Sequence, residues 1–255
     1  MLGAIIGDIV GSRFEFANHR SEEFEFFSDK CCFTDDSVLT FATFDAINHN
    51  IPFAEAYKNW FKLYPNKGYG GRFRTWAMSN DMQPYNSWGN GSAMRVSPCG
   101  WTSHDLDSVL TLATDSASAT HNHPEGIKGA KATAHAIFLA RNKESKSTIK
   151  ETIEKKYGYS LDFYLNDLIE NYRFNESCQE TVPQAIYTFL ISGSYEDSLR
   201  KGISIGGDSD TIGAINGAIA EAFYGIPAHI KKKALSYLDE KMIGLINEFD
   251  LKYGI

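Results

Sequence analysis

At 255 residues, with 43% hydrophobic and 22% charged side chains, the chain is long enough to bury a substantial core and is neither a disordered segment nor a small scaffold that needs disulfide staples. Twenty-five basic against 32 acidic residues leave a formal charge of −7, which argues against an extended surface that tracks nucleic-acid phosphates. Cys31, Cys32, Cys99 and Cys178 are too few and too unevenly spaced for a disulfide framework, so a reduced, cytoplasmic setting is expected.

The opening run, MLGAIIGDIV, is apolar but is interrupted by Asp8, follows no basic residues and falls far short of the roughly 20 residues of a membrane span. Neither a signal peptide nor an anchor is expected. From Asp36 to Asn48 the apolar residues recur at helical spacing, with Asp35 or Asp36 available to cap the start. The same period marks Phe53 to Leu63, Leu106 to Ala119, Pro124 to Ala140, Val182 to Ile191, Tyr195 to Ile203, Asp210 to Tyr224 and His229 to Phe249, and no run alternates over several residues. The polar stretch from Arg141 to Lys156 is expected to be a solvated helix pair with its connecting loop. Pro124, Pro183 and Pro227 fall where first helical turns are expected, and Gly193 and Gly225 fall just past helix ends. The predicted fold is an all-α, orthogonal helical bundle forming one domain over residues 1–255, because no low-complexity tract or linker divides the chain.

Two segments share the form G-A-I-x-G-x-I: Gly3 to Ile9 and Gly213 to Ile219. Glycine inside a helix costs about 1 kcal/mol relative to alanine, so its repeated use points to two central helices in close backbone contact.

Chemistry gathers first in two acidic clusters, Thr34-Asp35-Asp36-Ser37 and Gly206-Gly207-Asp208-Ser209-Asp210-Thr211, each leading into an apolar helix. Each cluster can serve as a helix cap, but one cap needs one such residue and each cluster offers several. Adjacent carboxylates repel one another and cost desolvation when buried, so four aspartates drawn to one place call for a cation. With no His or Cys in either cluster, a hard ion such as Mg²⁺, Mn²⁺ or Ca²⁺ is favoured over Zn²⁺, and the carboxylate count supports two ions. An EF-hand is excluded, because Ile212 and Ile219 occupy loop positions that require oxygen ligands.

Glycine-rich stretches, Gly68-Tyr69-Gly70-Gly71-Arg72 and Trp88-Gly89-Asn90-Gly91-Ser92-Ala93-Met94-Arg95, offer backbone amides to phosphate oxygens. Neither matches a Walker or Rossmann fingerprint. His121 and His123 lie at a helix junction, where they can bind a ligand or cap a helix, and no serine sits in a G-x-S-x-G elbow.

Together these segments resemble the ADP-ribosylglycohydrolase family over nearly the whole chain. The resemblance rests on GAIIGDIVGSRFE at Gly3 to Glu15, FTDDS at Phe33 to Ser37, GYGGRF at Gly68 to Phe73, GNGSAMR at Gly89 to Arg95, Thr120-His121, and GGDSDTIGAINGAIAEAFYG at Gly206 to Gly225, in the family's order and spacing. It implies a compact all-α fold with a dinuclear Mg²⁺ or Mn²⁺ centre in a cleft. Thr34, Asp35, Asp36, Asp208, Asp210 and Thr211 match the family's metal ligands, and Glu15 matches a mobile acidic residue near them. Gly89, Asn90, Gly91, Ser92, Met94 and Arg95 match a loop around a diphosphate, Gly68, Tyr69, Gly70 and Gly71 a neighbouring substrate loop, and His121 a residue lining the cleft.

The implied activity is release of ADP-ribose from an ADP-ribosylated protein or small molecule, with Asp35, Asp36 and Glu15 as the catalytic carboxylates and arginine, ahead of serine or another acceptor, as the first expected leaving group. Candidate rim residues are Phe14, Phe16, Tyr69, Trp76, Tyr85 and Trp88. A silent ADP-ribose-binding relative and a metal-dependent nucleotide-diphosphate phosphohydrolase are the alternatives. A monomer without a membrane or nucleic-acid surface is expected.

Overall fold

The computed structural model describes residues 1–253, and among those residues no β-strand forms; a bridge between Gly89 and Ser177 stands alone. In chain order the helices are α1 (Leu2–Gly11), α2 (Asp35–His49), α3 (Phe53–Leu63), α4 (Gly71–Met78), α5 (Gly91–Met94), α6 (Leu106–Ser118), α7 (Pro124–Arg141), α8 (Lys146–Tyr157), α9 (Leu165–Asn171), α10 (Cys178–Leu190), α11 (Tyr195–Ser204), α12 (Ser209–Tyr224), α13 (Ala228–Leu235) and α14 (Glu240–Tyr253). The all-α expectation holds.

The two G-A-I-x-G-x-I segments form the centre. Every residue of α1 is buried, and α12 is buried from Ser209 to Ala222. The helices run antiparallel, with Gly3 facing Gly217, Gly7 facing Gly213 and Gly11 facing Ser209, and a Cβ on any of these three α1 glycines would fall inside the opposing backbone. Glycine is required there, and the packing of the two buried helix faces offsets its propensity cost. Helices α7, α10 and α11 pack on α12, while α2 packs on α1 and on α3. One consequence fixes the site. Because α1 ends at Gly11 beside the start of α12, the residues that follow α1 meet the turn that precedes α12.

Several expectations need correction. The segment from His229 to Phe249 is two helices, because Asp239 accepts Met242 N at 3.0 Å and the Tyr64 hydroxyl at 2.6 Å, starting α14 afresh. Pro183 lies inside α10, not in its first turn, since the helix begins at Cys178. Its missing N–H and ring are tolerated in a segment packed against α7, α11 and α12. Helices α4, α5 and α9 escape the hydrophobic pattern: they are short, and α9 buries only Leu168. The Arg141–Lys156 stretch is the last residue of α7, a turn and most of α8.

Candidate active site

Asp8 is the one charged side chain of α1, and it is fully buried. Its carboxylate accepts from Thr34 N at 2.9 Å, Thr34 Oγ1 at 2.8 Å, Ser37 N at 3.1 Å and Ser37 Oγ, which pins the start of α2 to α1. Burial nevertheless pushes Asp8 up to about 6. Thr34 Oγ1 also accepts Asp36 N at 3.2 Å as the cap of α2. Capping is thus done by Thr34, and Asp36 is released from it; Asp36 Oδ2 is buried without a hydrogen-bond partner. Asp35 donates its backbone N–H to Lys67 O at 2.6 Å, drawing the first glycine loop over it, and Gly68 there adopts φ 95°.

The second cluster is aimed by backbone that only glycine adopts readily. Gly206 and Gly207 have φ of 72° and 75°, and the ring of Tyr172 occupies the space a Cβ on Gly207 would need. This turn puts Asp208 at the N-cap of α12, yet its carboxylate caps nothing; it accepts Asn90 Nδ2 at 2.6 Å. Carboxylate oxygens of Glu15, Asp208 and Asp210 all lie within 4.8 Å of one another. The two acidic clusters, remote in sequence, share one cavity with Glu15.

The electrostatics follow from burial without counter-charge. Among the described residues, none of Asp8, Glu15, Asp35, Asp36, Asp208 and Asp210 forms an ion pair. Burial, then Asp8 and neighbouring carboxylates, holds Asp35 and Asp36 well above the usual range. Burial and Asp208 do the same to Asp210. Glu15 is pushed up to about 7, first by burial and then by Asp208. An oxygen-only donor set, an orphaned buried carboxylate oxygen and mutual repulsion are the signs of a site suited to a hard divalent cation.

The same cavity, of about 240 Å³, takes in Thr211, Gly68, Gly70, Gly71, Gly89 and Asn90, and then Gly91, Met94, Arg95 and His121. Arg95 is wholly buried over the Tyr57 ring at 4.2 Å, donates Nη2 to Ser116 O at 3.0 Å and Thr120 Oγ1 at 2.8 Å, and keeps Nε and Nη1 unpartnered. Thr120 Oγ1 lies 2.7 Å from His121 Nδ1. That contact turns the other ring nitrogen, Nε2, toward Gly89 and Gly91. Burial, Arg95 and Arg72 hold the imidazole well below its ordinary value, so it is neutral.

Three residues read as ligands lie outside the lining. Thr34 is turned toward Asp8, Ser92 is buried and donates to Gly126 O at 2.7 Å, and Tyr69 stacks on Phe73 at 5.3 Å with its hydroxyl on Tyr64 O. Asn90, read as a substrate contact, spends its amide on Asp208 and Thr181. Of the rim aromatics, Trp76 is core, Tyr85 lines the cavity, Trp88 is half exposed, and Phe16 stacks on Phe174 at 6.1 Å. Asp8, Phe174 and Glu176 went unflagged in the sequence. Asp8 alone carried a signal, as a charge inside an apolar helix; Phe174 and Glu176 reach the cavity from the loop before α10, where no local pattern marks them.

Comparison with known proteins relates the chain to one family. The ADP-ribosylglycohydrolase family profile matches residues 1–252. An uncharacterized protein of Archaeoglobus fulgidus is 33% identical over 214 residues, covering 73% of this chain and 67% of that protein. The ADP-ribosylhydrolase ARH3 of Bos taurus is 26% identical over 311 residues, covering 89% and 84%. Among solved structures, an ADP-ribosylglycohydrolase-related protein complex superposes with a TM-score of 0.73 at 22% identity, over 96% of this chain and 93% of that one, which shows a shared fold.

Proposed function

The chain belongs to the ADP-ribosylglycohydrolase family, and from that premise we propose that it hydrolyses the glycosidic bond between ADP-ribose and an acceptor, with residues 1–255 acting as one catalytic domain. The observation that carries this reading is a single cavity lined both by unpaired carboxylates, Glu15, Asp35, Asp36, Asp208 and Asp210, and by two cations, Arg72 and Arg95. Such a cavity suits a ligand that joins a diphosphate to a ribose.

Asp35, Asp36, Asp208, Asp210 and Thr211, with Thr34 holding Asp36 in place as the cap of α2, would hold two divalent cations, Mg²⁺ or Mn²⁺, which when bound would supply Lewis acidity and lower the pKa of a coordinated water. The remaining work falls to the chain. Gly89 and Gly91 present backbone without side chains to the diphosphate, Arg72 and Arg95 offset its charge, and neutral His121 presents Nε2 at the wall. As the anomeric carbon becomes oxocarbenium-like, the surrounding carboxylates stabilise the positive charge. Asp35 or Asp36 takes a proton from the attacking water. Glu15, half-buried on the same cavity, delivers one to the departing acceptor.

Arginine is the first acceptor to test, because Glu176 and Phe174 line the cavity near Glu15 and suit a planar cation. Monomeric action in the cytoplasm completes the reading; among the described residues no helix is long and apolar enough to cross a membrane.

Incubation with ADP-ribosylated arginine, serine and small-molecule acceptors, with Mg²⁺, Mn²⁺ or EDTA, followed by chromatography of products, tests the whole reading. Intact ADP-ribose, released only with metal, is expected. AMP with the ribose phosphate retained on the acceptor would instead establish phosphohydrolysis, and no turnover on any acceptor would establish a silent relative.

A further inference from the structure

The segment between α1 and α2 spans more than twenty residues, carries Glu15 and has only a short 3-10 turn, Ser12–Phe14, as regular structure. It is held by side chains that bond to backbone. Arg20 donates to Ile169 O, Ile205 O and Tyr172 O, Arg200 donates to Glu22 O and Phe24 O, and Arg13 donates to Ser28 Oγ and Glu25 O. Two side chains tie the segment to the turn that aims Asp208: Arg20 through Ile205 O, and Asn18 through Gly207 itself. Asn18 Oδ1 accepts Gly207 N at 2.9 Å, and Asn18 Nδ2 donates to Gly207 O at 3.0 Å, Phe14 O at 2.9 Å and Glu15 O at 3.0 Å, its two hydrogens shared among three carbonyls.

We propose that Asn18 is a positioning residue: its amide clamps the backbone of Glu15 to Gly207 and so holds the Glu15 carboxylate against Asp208 and Asp210. The inference rests on the proposed role of Glu15 in a cation-binding, ADP-ribosyl-cleaving site. Asparagine is chosen by the chemistry of the junction. A peptide group at Gly207 presents one donor and one acceptor side by side, and only a primary amide answers both while retaining a hydrogen for the carbonyls of Phe14 and Glu15. Aspartate is isosteric but would set an oxygen against three carbonyl oxygens, and alanine would leave the loop fastened by Arg13, Arg20, Arg200, the Lys201–Glu22 ion pair and Tyr237 on Ser28 O, none of which bonds residue 15. Gly206 and Gly207, in left-handed conformation, give the turn no side chain with which to hold Glu15 itself.

The test uses the full-length chain in four forms: wild type, Asn18→Ala, Glu15→Ala and the double variant. Hydrogen exchange in metal-free protein reads the clamp directly: Asn18→Ala should lose protection over residues 12–20 while α1 and α12 keep theirs. Calorimetry with Mn²⁺ reads the consequence: Asn18→Ala should bind about tenfold more weakly, and the double variant no more weakly than Glu15→Ala, because the two changes act through one group. Asn18→Asp should behave as Asn18→Ala or worse. With substrate, kcat should fall while KM for the ADP-ribosyl ligand stays within about twofold.

Wild-type exchange over residues 12–20 in Asn18→Ala would overturn the clamp. An undiminished further loss of Mn²⁺ affinity on top of Glu15→Ala would overturn its action through Glu15. Failure of the wild type to bind Mn²⁺ or to release ADP-ribose would strike the proposed function instead, since the exchange measurement needs neither.

Discussion

His135 sits in α7 with Nδ1 3.1 Å from the Tyr157 hydroxyl, and burial pushes its pKa down to about 4. The fold accepts the neutral ring, whereas an unfolded chain protonates it near 6.5. Between those values the unfolded state binds the extra proton, so the stabilising preference is fully present above pH 6.5 and is lost as pH falls toward 4, by about 3 kcal/mol from this residue. His121, also held low by burial, pulls in the same direction. His135→Gln keeps a partner for Tyr157 and removes the titration, so urea unfolding between pH 7 and 4.5 should show a shallower acid loss; an identical slope would place the sensitivity elsewhere. The sequence made the clustered aspartates of the site legible, because four acids beside two helix starts exceed what caps require. It could not reveal that Thr34 would do the capping, that Asn90 would be spent on Asp208, or that Asp8 would organise the first cluster. Those facts depend on partners 26 to 118 residues away.

At the scale of elements, the antiparallel pair α1 and α12 makes the most direct prediction. In Gly7→Ala the new methyl would collide with the backbone of Gly213, which cannot rotate away as a side chain would, so the helices must separate or bend. Overpacking of this kind costs about 3 kcal/mol, whereas Gly244→Ala, in α14 with open space around its Cα, should stabilise by up to about 1 kcal/mol. Chemical denaturation of the two variants separates the readings: equal effects would mean that the shared glycine pattern is incidental. The repeat was readable because glycine in a buried helix has few other uses. Helix breaks were less readable, since the periodicity of residues 229–249 runs through the α13–α14 junction and only the capping carboxylate of Asp239 marks it. The same limit hid α4 and α9, whose few buried side chains produce no sustained period.

For the molecule as a whole, the arrangement couples folding to the cation. Packing α1 against α12 and fastening α2 to Asp8 forces carboxylates together whether or not a counter-charge is present, so the metal-free fold carries their repulsion. A cation that binds only the folded state adds about 2.7 kcal/mol at one hundred times its dissociation constant, which for a chain of this size corresponds to roughly 5–10 °C in Tm. Asp36→Asn then has two opposed effects. Its buried carboxylate is held well above the usual range by burial, Asp8, Asp35 and Asp208, so at pH 8 the neutral amide should leave the metal-free Tm equal to or above wild type. The same variant has lost a ligand, so its Tm should rise less on addition of Mn²⁺ or Mg²⁺. Scanning calorimetry with EDTA and with saturating metal would therefore show the two proteins changing order. Helix caps predict the reverse pattern: a destabilised variant without metal and no metal response in either protein. A wild-type Tm unmoved by divalent cations would mean that the convergence of these acids serves some purpose other than holding them.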